Sequence, residues 1–365
     1  MMASMRYSVQ PAGRGRRSYD TAPAVEQVSK PYTVDIGVFA HNEAKNIRNV
    51  LRSLTARGGS RTPRKISVFS SSEDGTNEAV AEFEQADRRV CLVREQTRQG
   101  KAASINRFLR SSDADICVVL SADVVPDEGA VDALVRALRD PCVGLVGAAV
   151  VPTNPANTFF GFVSHLLWRL HGRFGKVGEM IAFKRELVPS MVETTSVDEA
   201  FAQMIVRNKG MKTMCVPDAV VWNGGPDNIA DFMMQRSRIF AGHVKLASQL
   251  GGKVPTMDGR FVRDAAGFAF QESEKIKRRA GLSVWKMAVW LILAATLEAL
   301  SRVGGVVSLI LKGEDTVWKQ VRSGRSPLYT NGSDLVGAAQ IGTRAPPNCV
   351  ASNIRLNAGT TAATE

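Results

Sequence analysis

From residue 32 to about 145 the chain alternates short aliphatic runs with longer amphipathic stretches, a rhythm that few folds accept. The runs Val34–Ala40, Lys65–Ser70, 90–93, 115–120 and 143–151 predict strands, and 43–56, 77–86, 101–109 and 128–138 predict the helices between them. Strands that are apolar on both faces and separated by helices form a parallel sheet covered by helices. Ligands of such open sheets bind beyond the carboxyl ends of the strands, so those ends are where functional residues are sought. Further on, the pattern predicts a helix over 158–171, strands over 179–183, 211–215 and 219–222, an acidic helix start at Val197, and a long helix over 228–249.

The strand ends carry polar groups in a fixed order. The first strand runs into Ala40-His41-Asn42-Glu43, an amide and a carboxylate able to meet a base or ribose, although an Asn cap with Glu in the first helical turn is the ordinary explanation. The second runs into Ser70-Ser71-Ser72-Glu73-Asp74-Gly75-Thr76, which is rich in turn and capping residues. Gly100-Lys101 opens the third helix, where a glycine permits close approach and a lysine adds a cation beside a diphosphate. There is no Walker spacing, which excludes a P-loop NTPase. The fourth strand ends in Ser121-Ala122-Asp123, placing a carboxylate where a divalent cation and a diphosphate would meet. Asp198-Glu199 begins a later helix, where acids complement the helix dipole and one could also face a cleft as a base. Gln235-Arg236-Ser237-Arg238 sets two guanidiniums on the long helix, a solvated face or a diphosphate contact.

Composition narrows the partners. The formal charge of +12 suits an anionic partner: nucleic acid, nucleotide sugar or an anionic membrane surface. No aromatic-interleaved basic strand or recognition helix supports nucleic acid. Five cysteines without CxxC spacing read as buried thiols in a reducing compartment, neither a disulfide framework nor a zinc site. The four histidines show no metal spacing, and His243 is the one retained beside the site.

Taken together, Asn-Glu, the Ser/Asp turn, Gly-Lys, the strand-end Asp, Asp-Glu and Gln-Arg-x-Arg resemble the family 2 inverting glycosyltransferases over about 32–242. The stretches 165–171, 178–183 and 238–243 resemble a bacterial and archaeal, membrane-associated branch. The resemblance implies an α/β chain with a GT-A nucleotide-diphospho-sugar transferase fold, a Rossmann-like mixed sheet. It implies a UDP- or GDP-sugar donor, Mg²⁺ or Mn²⁺ on Asp123, and Asp198 as general base. Ala40, Asn42, Glu43, Ser70, Gly100, Lys101, Ser121 and Ala122 would border the nucleotide sugar, and Gln235, Arg236 and Arg238 the diphosphate or acceptor. Four departures accompany the match: Ser121 for the first metal-motif Asp, Ser70 for the base-reading acid, Asn223 for a metal-ligating His, and Ile239 for a stacking Trp. A degenerate, non-catalytic nucleotide-binding or interaction protein is therefore the alternative.

The expected organisation is a disordered basic arm (1–31), a catalytic domain (32–250), a linker with a basic segment (251–281), a membrane-associated helical segment (282–311) and a mostly disordered tail (312–365). The apolar segment is long enough to cross a bilayer, but contains Lys286, Glu298 and Arg302 and is interrupted by Gly304-Gly305. An interfacial or re-entrant helix pair, a single span and a soluble core helix all fit. The preceding Lys275-Ile276-Lys277-Arg278-Arg279 favours the anionic cytoplasmic face of the membrane, where the acceptor would be lipid-linked or a glycan.

Overall fold

Residues buried on both faces make the first strands. β1 (Val34–Ala40) is buried throughout and lies between β2 (Lys65–Ser70) and β4 (Ile116–Ser121), parallel to both. β3 (Val90–Arg94) extends the parallel set beyond β2. With β5 (Val124–Pro126), β6 (Val143–Pro152), β7 (Met180–Lys184) and β8 (Lys212–Asn223), the sheet order is β3-β2-β1-β4-β7-β6-β8-β5. The sheet is mixed, because β7 runs antiparallel to β4 and β6, and β5 antiparallel to β8. The computed structural model describes residues 31–56, 63–193, 195–251 and 259–312. The arm and tail expected from the sequence lie outside the described residues, apart from Pro31 and Lys312 at their inner ends.

Alternation along β1 divides the core. Val34, Ile36 and Val38 pack under α1 (Ile47–Thr55), α2 (Thr76–Ala86) and α4 (Ala130–Ala137). Phe39 packs on the other face with Phe69 and with Ile105 and Phe108 of α3 (Lys101–Ser111), and with α6 (Asp198–Asn208). Two expected strands near 211–222 form one, β8, in which a bulge absorbs Pro217-Asp218-Ala219: Ala148 pairs with Val216 and Ala149 with Val220.

A third apolar cluster joins α5 (Phe159–Arg173), α7 (Ile229–Leu250), α8 (Gly259–Ala280) and α9 (Val284–Lys312). Here the structure corrects the linker expected over 251–281. Only 252–258 are not described, and α8 buries Glu272, Ser273 and Ile276. Arg169 of α5 bonds the buried Glu272 carboxylate at 2.9 Å, tying the segment to the body. A composition rich in Gly and Ala hid this amphipathic face. Nor does Gly304-Gly305 break the apolar segment into a re-entrant pair. α9 is one continuous helix, and the glycines bring it against α7: a Cβ on Gly305 would lie 2.7 Å from the Ser237 carbonyl oxygen.

Candidate active site

The carboxyl edges of β1, β2 and β4 and the start of α3 surround an open cleft. β1 and β4 are in register, and the Ala122 N–H donates to the Phe39 carbonyl at 2.9 Å, so the Asp123 turn stands beside the end of β1. Gly100, at φ +96°, turns the chain into α3 and presents Lys101 at its first position. Of the residues expected at the nucleotide sugar, Ala40, Glu43, Gly100, Lys101, Ser121, Ala122 and Asp123 line the cleft.

Two do not. Ser70 is buried, with its hydroxyl 2.9 Å from that of Ser72. Asn42, at φ +54°, stitches the loop: its N–H donates to the Ser72 hydroxyl, and its amide oxygen accepts from the Glu73 N–H. Both hold the loop that forms the wall, and neither forms the wall itself. Sequence reasoning missed the lining aromatics Phe39 and Phe69 and the polar lining residues His41, Ser71, Glu95, Arg98 and Ser104. His41 and Ser71 sit inside motifs already singled out, whereas Glu95 and Arg98 lie in the loop after β3, where no pattern marks them.

Lys101 links the cleft to α6. Its ammonium lies 2.8 Å from Asp198 and 2.7 Å from Glu199. Burial and then the Glu199 charge push the Asp198 carboxyl up, with Lys101 opposing them. Burial works the same way on Glu199, but Lys101 outweighs it and holds that carboxyl below its ordinary range. The two carboxylates in turn outweigh the burial of Lys101 and raise its ammonium.

Other charges surround this triad. Burial pushes the Arg238 guanidinium down to about 10, against the pull of Glu199, Asp198, Glu179 and Asp123. Lys176 is pushed down to about 8 by burial and by Arg236. Glu179 is pushed up to about 8 by burial, then by Asp123 and Glu199. Arg236, expected at the diphosphate or acceptor, instead makes a two-pronged bond to Glu298 of α9, both distances 2.8 Å. A carboxylate on the apolar helix, distant in sequence, takes up that guanidinium. Gln235 is half-buried, and neither it nor Arg238 lines the cleft, although Arg238 feels the charge of the site's acids.

Among the described residues no three His, Cys, Asp or Glu side chains converge as a metal cage, and the described cysteines are all free thiols. Cys142 is exposed, against the expectation of buried thiols.

An edge of parallel strands carrying an acid at one end of a cleft and a buried carboxylate pair at the other gives the GT-A fold of nucleotide-diphospho-sugar transferases. Within that class, residues 35–193 match the model of Glycosyl transferase family 2. Among solved structures, it is similar to the mannosyltransferase PcManGT from Pyrobaculum calidifontis in complex with GDP-Man and Mn²⁺. Identity is 21% and the TM-score 0.56, over 82% of this chain and 92% of that one. It is also similar to glucosyl-3-phosphoglycerate synthase from Mycobacterium tuberculosis, with 18% identity and a TM-score of 0.43, over 60% of this chain and 80% of that one. No curated protein matches the chain.

Proposed function

We propose that the protein transfers a sugar, with inversion, from a UDP- or GDP-sugar to a lipid-linked or glycan acceptor at the cytoplasmic membrane face. The observation that carries this reading is Lys101, which lines the donor cleft and pairs with Asp198 at its far end. Asp198 removes the acceptor hydroxyl proton, a role in which a positioned base contributes roughly 10²–10⁴-fold. Lys101 keeps that base ionised and, with Arg238, brings positive charge to the leaving diphosphate.

A divalent cation fits the Asp123 end. Asp123 and the Ser121 hydroxyl offer oxygen donors, and one carboxylate completed by phosphate oxygens is a set that Mg²⁺ or Mn²⁺ accepts. The bound ion would neutralise charge developing on the leaving group. The similar mannosyltransferase was solved with GDP-Man and Mn²⁺, which agrees with this donor and cation class.

The membrane part of the reading rests on α9. It contains 28 residues long and apolar enough to cross a bilayer, with mean hydropathy 1.5. One side is fixed to α7, while Trp285, Val289, Ile292, Val303 and Ile310 stand exposed on the rest. A helix docked along a polar-faced neighbour, with its other side apolar, suits the membrane interface better than a span.

The test is transfer of radiolabel from UDP- and GDP-sugars into membrane extract. Label should enter the acceptor fraction with the wild-type chain, and EDTA should stop it. Absence of turnover with every donor, alongside retained nucleotide binding, would establish the non-catalytic alternative.

A further inference from the structure

Glu179 adopts φ +61°, a conformation that side chains other than glycine rarely take. It sits at the centre of a tight turn, in which the Met180 N–H donates to the Gly178 carbonyl at 2.7 Å. A glycine would make this turn without steric penalty, so the turn does not explain the glutamate. The antiparallel pairing of β4 and β7 ends with Leu120 opposite Met180, so Glu179 immediately precedes that pair on one strand and Ser121, which lines the cleft, follows it on the other.

The charges around Glu179 locate it further. Its acidic neighbours are Asp123 and then Glu199, and its basic ones Lys101 and Lys176. It therefore stands between the diphosphate end of the site and the base end. No hydrogen bond or ion pair among the described residues occupies its carboxylate. In an inverting displacement the acceptor oxygen attacks opposite the leaving phosphate oxygen. The transferred sugar must then lie between Asp123 and Asp198, the space Glu179 faces.

We propose that Glu179 is a specificity-determining residue of the sugar subsite, its carboxylate accepting hydrogen bonds from hydroxyls of the transferred hexose. The inference rests on the donor reading given above. Burial beside two acids leaves this carboxylate short of donors, and sugar hydroxyls supply them. A backbone held in an unfavourable conformation aims it, the kind of strain that collects at functional positions.

The experiment is calorimetric titration of the full-length chain, with Mn²⁺ present, by UDP, GDP and the corresponding nucleoside diphospho-hexoses. Glu179→Gln and Glu179→Gly should bind the nucleoside diphosphate like wild type. They should bind the diphospho-hexose about ten- to a hundredfold more weakly, as expected for losing hydrogen bonds to a charged group. Glu179→Gly should also melt no lower than wild type, because glycine relieves the backbone. A donor deoxygenated at the recognised hydroxyl should bind wild type as weakly as the intact donor binds Glu179→Gln. Unchanged hexose-donor affinity in Glu179→Gln overturns the proposal. Equal loss of diphosphate and diphospho-hexose binding overturns it too, by placing the residue at the diphosphate or its cation. A wild-type chain that binds no nucleotide would overturn the donor reading itself, and the subsite with it.

Discussion

Lys101 holds two carboxylates at once, and the chemistry at the residue scale turns on how it divides its charge between them. Asp198→Asn should lower turnover at least about a hundredfold while nucleotide binding survives. An active Asp198→Asn enzyme with an inactive Glu199→Gln partner would assign the base to the neighbouring acid. Because Lys101 opposes the rise of the Asp198 pKa, Lys101→Met should move the acid limb of the kcat/KM profile to higher pH, and activity lost at neutral pH should return in part on raising it. Lys101→Arg should move it little.

Buried histidines set a second pH dependence. Burial pushes the His165 ring down to about 4, and its Nε2–H donates to the Asn154 carbonyl at 3.1 Å. His171 and His243 are lowered as well, again chiefly by burial. A base depressed in the folded state contributes stability above its unfolded pKa, about 6.5, and loses it as pH falls toward the folded value. The melting temperature should therefore drop between pH 6.5 and about 4, and His165→Gln should flatten that slope.

At the scale of elements, the join between α7 and α9 decides whether the catalytic body stands alone. Glu298 meets Arg236, the Ser237 hydroxyl donates to the Ser301 carbonyl at 2.9 Å, and Gly305 lies against the α7 backbone. Glu298→Ala should cost about 1–3 kcal/mol by chemical unfolding, below the full cost of breaking a buried pair because Glu298 keeps some exposure. The two glycines should differ. Gly304→Ala meets the Ser237 hydroxyl, which can rotate away, whereas Gly305→Ala meets backbone and should loosen the helix pair, read as faster proteolysis near α9. A chain cut near Gly259 would lose α8 and α9, bare the Phe162 and Phe232 cluster and strip Arg169 and Arg236 of their acids. It should be poorly soluble, read as aggregation of the 32–250 fragment in buffers that keep the full-length chain dispersed.

For the whole molecule, the bare side of α9 sets the surroundings. Trp285 is 83% exposed and Ile310 75%, in a protein of formal charge +12. The full-length chain should sediment with vesicles, more strongly with anionic lipid, by on the order of 1 kcal/mol per basic residue near the surface. Replacing Trp285, Ile292 and Val303 with glutamate should abolish sedimentation and change the melting temperature little, because these side chains are mostly exposed. Vesicle binding that survives the triple substitution would place the lipid contact elsewhere.

The sequence alone determined the strand rhythm, because a strand buried on both faces must be written in β-branched and aliphatic residues, as Ile116–Ser121 largely is. It also placed Asp123, Lys101 and Asp198 at element ends, since the turns there need polar residues. What it could not determine was which of these groups meet. Lys101 reaches across 97 positions to Asp198, Arg236 across 62 to Glu298, and the β4–β7 pairing sets Glu179 and Ser121 at the same end of that strand pair. Charge pairing between distant segments leaves no periodic mark, and a linker-like composition concealed α8 until its buried face found α5. Those partnerships belong to packing, and only the tertiary structure decided them.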